Sequence, residues 1–276
     1  MKYKLICTDL DGTLLNDDKE ISFGDAEAIK KAYNNGIKIA FSTGRIYNSA
    51  KFYAHDLGIA PYIISSNGGY VRGYDEDKPL YNAALNKEQF NNICSIIKKY
   101  DVDFLFNTSD TLITITPFDE NDPHVKTNKT AISDDLKIKF HVVDDISTAF
   151  EKFPGKLLKA LFLFKEDLSM IENIRRDILA FGNLEVSSSG PTNLEILPKG
   201  ICKFSGINAL AQSLNIDPKE IICFGDSEND SSMIQSAGLG IAMGNASEDI
   251  KAMADYITDT NCCCGIAKAL DKFILE

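Results

Sequence analysis

The first apolar run, residues 4–8, stops at Asp9, and from Ser22 onward Ala26, Ile29, Ala32 and Tyr33 recur at helical spacing until Gly36. Residues 37–41 then read as a second strand, 45–57 as a second helix and 62–65 as a third strand. Strands alternating with helices in this way predict a parallel sheet covered by helices. Two short runs, 70–73 and 80–82, punctuated by Gly68-Gly69 and by turn residues at 75–79, suit a hairpin that leaves the sheet. Helix and strand return in the C-terminal part. Phe204, Ile207, Leu210, Ala211 and Leu214 form a helical stripe, and 220–225 a strand; helix and strand then recur over 229–237, 239–243, 247–254, 256–258 and 265–273.

The middle of the chain has a different texture. A helix over 87–99, with Phe90, Ile93, Ile96 and Ile97 inward, leads into alternating runs at 103–107 and 111–116 that suit antiparallel strands. Residues 117–150 are polar and show no clear period, after which 157–164, 169–180 and 184–188 read as strand, helix and strand. The pattern predicts an α/β fold with a doubly wound, mostly parallel sheet as its core, built from 1–83 and 189–276, and an α+β domain inserted at 84–188.

The length of 276 residues, with 44% hydrophobic and 25% charged residues, fits one large domain or two modest ones and excludes a disordered or collagen-like chain. With 29 Lys and Arg against 40 Asp and Glu the net charge is -11, which disfavours a nucleic-acid backbone as partner but leaves room for a small phosphorylated ligand at a locally positive or metal-filled site. No apolar stretch is long enough to cross a membrane, and no secretory leader pattern opens the chain, so a cytoplasmic protein without membrane partners is expected. Oligomeric state is not legible. Seven cysteines, an odd number, with Cys7 and Cys223 inside apolar strands, imply no disulfide framework; Cys262-Cys263-Cys264 lacks a second pair at zinc spacing and reads as a loop. His55, His124 and His141 are scattered and read as surface or core residues.

The chemistry gathers where strands end. Asp9-Leu10-Asp11-Gly12-Thr13 follows the first strand directly, and ligands of open α/β sheets collect beyond the carboxyl ends of strands. Two carboxylates two residues apart can share a side there, one metal-bound and ionised, the other protonated: a nucleophile and an acid. Turn chemistry accounts for Asp11 and Gly12 but not for Asp9. An EF-hand loop fails because Leu14 holds its glycine position and a strand precedes it. A second acidic cluster, Gly225-Asp226-Ser227-Glu228-Asn229-Asp230, also closes an apolar strand, and oxygen ligands of this type suit Mg²⁺. Ser42-Thr43-Gly44-Arg45 closes the second strand and opens a helix, a place for an anion, while Lys203 and Lys199 stand near another helix start. Gly238 to Gly244 almost spells a dinucleotide fingerprint, but its glycines are one residue out and the run reads as a strand.

Together these segments resemble the haloacid dehalogenase-like superfamily and, within it, the Cof-type phosphatases with a large αβ cap. Asp9 to Leu14, Thr43, Lys203 and Gly225 to Asp230 are similar to its four motifs; Asn67-Gly68, 242–246 and 258–267 are similar to family loops. The resemblance implies a Rossmann-like core, a mobile cap and a Mg²⁺-dependent phosphohydrolase. Asp9 would form an aspartyl-phosphate and Asp11 would act as general acid and base. Thr43, Gly44, Lys203 and Asn229 would hold phosphate. Asp9, Asp11 (through its carbonyl), Asp226 and Asp230 would hold the metal, with Arg45 and Asn67 as further substrate contacts. Small phosphorylated metabolites are the implied substrates, sugar phosphates first, then flavin or pyridoxal phosphates. Phe204 stands where the family commonly has glycine, and the cysteines at 262–264 replace commonly polar residues. Two rivals stay open: transfer of the phosphoryl group to a sugar hydroxyl, as in a capped mutase, and a module that binds a phosphorylated metabolite without turning it over.

Overall fold

Alternate residues of the first strand, Leu5–Thr8 (β1), enter different cores: Leu5 and Cys7 join a cluster with Ile207 and Leu210, and Ile6 joins one with Ile29 and Phe41. A strand buried on both faces reads as a continuous apolar run, which is why its hydropathy does not alternate. The computed structural model describes residues 2–120, 122–131, 133–165 and 168–275. After β1 come Phe23–Asn34 (α1), Lys38–Ser42 (β2), Tyr47–Leu57 (α2), Tyr62–Ser65 (β3), Tyr70–Gly73 (β4) and Tyr81–Asn82 (β5). Ser22 caps α1 by accepting from the Asp25 N–H. The chain then passes through Lys87–Tyr100 (α3), Asp103–Asn107 (β6), Thr111–Thr114 (β7), Pro123–Thr130 (α4), Lys139–Val142 (β8), Ala149–Lys152 (α5), Lys159–Leu163 (β9), Ile171–Leu179 (α6), Leu184–Ser187 (β10) and Asn193–Pro198 (β11). It closes with Lys203–Leu214 (α7), Ile221–Gly225 (β12), Ser231–Ser236 (α8), Leu239–Ala242 (β13), Glu248–Met253 (α9), Tyr256–Ile257 (β14) and Gly265–Leu270 (α10).

The fold is α/β. An eight-stranded sheet has the order β14-β13-β12-β1-β2-β3-β4-β5, parallel from β14 to β3 and antiparallel from β3 to β5. From β1 the chain winds one way through β2 and β3, and later from β12 the other way through β13 and β14. The β1/β12 border is therefore the topological switch point, where a crevice opens beyond the strand ends. A six-stranded sheet, β10-β11-β9-β6-β7-β8, is antiparallel except for the parallel β7/β8 pair. It packs on its own cluster, which includes Phe90, Phe106, Phe162 and Ile196.

Several expectations need adjustment. The 70–82 hairpin does not leave the sheet; β4 pairs with β3 from Ser65↔Tyr70 to Tyr62↔Gly73 and extends its edge. The polar stretch 117–150 holds α4, β8 and the start of α5. The six-stranded sheet runs past 188, because β11 lies between β10 and β9. Its run Leu194-Glu195-Ile196-Leu197 hides the strand's pattern, since Glu195 is as buried as its neighbours. The second helix begins at Tyr47 instead of residue 45, because the Arg45 N–H is drawn to Thr43 Oγ1 at 3.2 Å. Cys262 and Cys263 are exposed and Cys264 half-buried in the loop before α10. No helix among the described residues is long and apolar enough to cross a membrane.

Candidate active site

Parallel strands end on the same side, so Asp9 after β1 and Asp226 after β12 meet at the switch point, and the turn after Asp226 folds Asp230 back beneath them. One carboxylate oxygen from each of Asp9, Asp226 and Asp230 lies within 4.8 Å of the others. The fully buried Lys203 Nζ donates to Asp9 Oδ1 at 2.7 Å and to Asp230 Oδ1 at 2.6 Å. The other Asp230 oxygen accepts from the N–H groups of Asp226 (2.9 Å) and Ser227 (3.0 Å), which closes the loop on itself. Thr13 Oγ1 and Ser227 Oγ donate to the two Asp226 oxygens at 2.7 and 2.9 Å. Gly12, at φ +80°, is required here: a Cβ would stand 2.5 Å from Asp226 Oδ2.

Burial pushes the Asp9 carboxyl well above its usual range; Lys203 opposes the shift, and Asp230 and Asp226 add to it. Asp226 is pushed up to about 6 by burial and by Asp230. Burial would weaken the Lys203 ammonium, but Asp230 and Asp9 outweigh it and keep the proton bound above the ordinary lysine range. Three carboxylates around one ammonium leave excess negative charge. Their hard oxygen donors fit a divalent cation such as Mg²⁺, which would remove that excess.

Asp11 does not join the three. Its carboxylate takes both arms of Arg45, Nε at 2.6 Å and Nη2 at 2.8 Å, and Lys19 Nζ at 2.9 Å. Burial would raise its pKa, but the Arg45 hydrogen bonds and charge, with Lys19, hold it well below the usual carboxylate range. Arg45 also donates to Ser49 Oγ (3.1 Å) and lies over the Tyr53 ring at 5.0 Å.

The phosphate candidates line one wall. Thr43 is buried, its N–H donates to Ile64 O at 2.8 Å, and its hydroxyl hydrogen stays available for another acceptor. Asn67, left-handed at φ 51°, donates its N–H to Thr43 O at 3.0 Å and its Nδ2 to Glu195 Oε2 at 2.6 Å. Asn229 Nδ2 donates to Asn67 Oδ1 (3.3 Å) and Glu195 Oε2 (3.2 Å), while its own Oδ1 is buried without a partner. Phe204 does not disturb Lys203: its N–H donates to Ser232 Oγ at 3.3 Å and its ring packs beside the core. The 242–246 loop has a visible task, since Asn245 Nδ2 donates to Gly12 O at 2.8 Å and Asn245 Oδ1 accepts from Asn261 N–H at 3.0 Å.

A cavity of 210 Å³ opens over this floor, roofed by Leu105, Asn107, Leu112 and Leu161 of the second sheet. His124 also lines it, contrary to the expectation of a surface or core histidine, and burial lowers its pKa. Buried Asn107 carries an Oδ1 without a partner. The sequence reading missed Lys159 and Glu195, which also line the cavity; a charged residue inside each of two apolar strands was the available signal.

A family model described as haloacid dehalogenase-like hydrolase matches residues 6–270. The 5-amino-6-(5-phospho-D-ribitylamino)uracil phosphatase YcsE of Bacillus subtilis strain 168 is 32% identical, over 99% of this chain and 96% of its own length. Phosphatase YwpJ of the same strain is 29% identical, over 98% and 100%. A haloacid dehalogenase-like hydrolase structure from B. subtilis matches with a TM-score of 0.85 at 28% identity, covering 98% of this chain and 99% of that one. A HAD subclass IIB sugar phosphatase matches with a TM-score of 0.78 at 26% identity, covering 98% of each chain.

Proposed function

We infer, from the premise that this chain belongs to the haloacid dehalogenase-like hydrolase family and is a phosphatase, that it hydrolyses small phosphorylated metabolites through an aspartyl-phosphate on Asp9. The observation that carries the reading is the group of three acids at the switch point of the sheet, two of them, Asp9 and Asp230, buried and sharing Lys203. Mg²⁺ would be held by Asp9, Asp226, Asp230 and the Asp11 carbonyl, and when bound supplies positive charge against the phosphoryl oxygens.

The residues of the chain divide the remaining work. An Asp9 oxygen attacks phosphorus as the bond to the leaving oxygen breaks, and Asp11 gives that oxygen a proton. Asp11 then takes a proton from water, which attacks phosphorus and releases Asp9. Lys203 has a third N–H beyond the two it spends on Asp9 and Asp230, and with the Thr43 hydroxyl and the Gly44 backbone it holds the phosphoryl oxygens, while Asn229, whose two N–H groups go to Asn67 and Glu195, orients the loop beside them. To carry a proton, Asp11 must first part from Arg45; an incoming anionic substrate offers the guanidinium another partner, which is how Arg45 acts as a substrate contact.

The six-stranded sheet serves as the cap, spanning 84–198. Its aliphatic roof with the unpartnered Asn107 Oδ1 suits a leaving group with both hydroxyls and an apolar face, a phosphorylated sugar or sugar alcohol. The name of the B. subtilis relative, a phosphatase of a ribityl phosphate joined to a uracil, supports that class. Seven free cysteines support a cytoplasmic setting.

The test follows free phosphate from a generic aryl phosphate, with and without Mg²⁺. Release only with metal, and none from Asp9→Asn at an unchanged fold, is expected. Turnover by Asp9→Asn at the wild-type rate would move the nucleophile elsewhere, and label passing to an added sugar in place of water would make the protein a phosphotransferase.

A further inference from the structure

Lys159 and Glu195 form an ion pair with side chains only 4% and 3% exposed, on the adjacent antiparallel strands β9 and β11. Every other charged group of the cavity has a place in the chemistry; this pair has none so far. An ion pair that only stitched two strands together would be replaceable by aliphatic residues of the kind flanking it, such as Leu161 and Ile196. Its remaining hydrogen bonds, however, all leave the sheet. Lys159 Nζ donates to Gly44 O at 2.8 Å, and Glu195 Oε2 accepts from Asn67 Nδ2 at 2.6 Å and Asn229 Nδ2 at 3.2 Å.

These three partners belong to three separate loops around the phosphate position. Gly44 follows Thr43; Asn67 holds the Thr43 carbonyl; Asn229 lies between Asp226 and Asp230. The approach is close enough to set the residue type at 44: a Cβ there would lie 2.8 Å from Glu195 Oε1 and 3.0 Å from Asn67 Oδ1. Asn67 takes a left-handed conformation, which Asn tolerates better than most residues, and its bonds to Glu195 and Thr43 fix its carboxamide in place. Burial would raise the Glu195 carboxyl, yet Lys159 and the Asn67 hydrogen bond hold it below its ordinary range, so it stays an acceptor.

We propose that Lys159 and Glu195 are positioning residues for phosphoryl transfer, a buried key on the second sheet that aligns Gly44, Asn67 and Asn229 only while that sheet is seated over the core. The proposal rests on the reading of Asp9 as nucleophile and of Thr43 and Gly44 as phosphate contacts, with Asn229 orienting the loop that carries Asp226 and Asp230. Neither residue touches phosphorus; each acts through the loops it holds.

The test is the double variant Lys159→Met/Glu195→Met, which fills the same space without charge, compared with wild type for unfolding midpoint, near-UV circular dichroism, steady-state kinetics and single-turnover phosphorylation of Asp9. A folded double variant should lose about 10²-fold in kcat and in the phosphorylation rate, the size of loss a misplacement of about 1 Å brings. KM should move by less than about threefold, because the lost alignment matters most in the transition state. Lys159→Arg, which keeps a charged donor, should recover most of the rate. A folded double variant with kcat within about threefold of wild type would show an ordinary structural pair and overturn the proposal. Should the double variant not fold, Glu195→Gln is read by the same limits: it keeps one acceptor and loses the charge, and an unaltered kcat overturns the idea equally. Asp9→Asn in parallel separates the two readings. If it retains turnover, the nucleophile assignment fails; if it is inactive while the double variant is fully active, only the positioning role fails.

Discussion

Replacing Lys203 with methionine keeps most of the side-chain volume and removes, among the described residues, the cation paired inside the acidic cluster. Lys203 is fully buried, and its two ion pairs, 2.7 Å to Asp9 and 2.6 Å to Asp230, are correspondingly unscreened by water. Breaking a buried pair by deleting one partner costs about 3–5 kcal/mol, since the other charge is left uncompensated. For a chain of this size about 1 kcal/mol shifts Tm by about 2–4 °C, so in chelator the variant should melt roughly 6–20 °C below wild type. The loss should shrink on acidification, because the orphaned carboxyls then take up protons. Added Mg²⁺ should recover more stability in the variant than in wild type, as it replaces a missing charge; a ligand at a hundred times its Kd contributes about 2.7 kcal/mol to whichever state binds it. Turnover should fall about 10²- to 10³-fold, the scale of losing one preorganised donor to the transition state. Calorimetry in chelator and in Mg²⁺, with phosphate release on the same samples, measures all of this. A variant that melts within about 2 °C of wild type in chelator, with unaltered kcat, would refute the reasoning.

Asp11→Asn should slow turnover about 10²- to 10⁴-fold, most for substrates with poor leaving groups; equal losses for good and poor leaving groups would contradict an acid role. Gly12→Ala should weaken Mg²⁺ binding in calorimetric titration, because its Cβ drives into Asp226, and should destabilise the chain by about 1–2 kcal/mol for the left-handed backbone; unchanged metal affinity would show that Asp226 is not a ligand. The pH dependence has a defined sign. Asp226 sits at about 6 against an ordinary 3.8, so the metal-free folded state gains stability from its proton at low pH and loses it as pH rises through that window. Mg²⁺ needs the ionised carboxylate, so the Tm gain from the metal should widen between about pH 4 and pH 6.5, and a constant gain would contradict the assignment.

The sheet was readable because each parallel strand announces itself twice, as an apolar run and as the polar residues that end it. Asp9 and Asp226 stood out for that reason, with Asp230 four residues on in the same acidic run: acids placed where strands end have no packing task. Apart from the family resemblance, Lys203 was visible only as a lysine at a helix start, and its burial between two aspartates depends on a contact 194 residues distant in the chain. The same limit hid Lys159 and Glu195, whose partners lie 115 and 128 residues away and whose charges broke the hydropathy of their strands. The direction of the 70–82 hairpin was not legible either, since alternation predicts pairing but not which free edge receives it. Arg45 could be marked as a residue near an anion; that Asp11 occupies its guanidinium follows only from the side chains in place.

The strand order also constrains how the chain is made. During synthesis β1 gains β2 as a neighbour within a few dozen residues, but its other edge waits for β12, which emerges after more than two hundred residues. Over that interval a nascent polypeptide carries an apolar strand with one bare flank, the kind of surface that recruits other chains or a chaperone. The inserted sheet, complete by residue 198, can mature ahead of its host. Catalytic competence should therefore arise late and abruptly, once β12 has emerged, and a truncation before Ile221 should yield aggregates in place of a partly active enzyme.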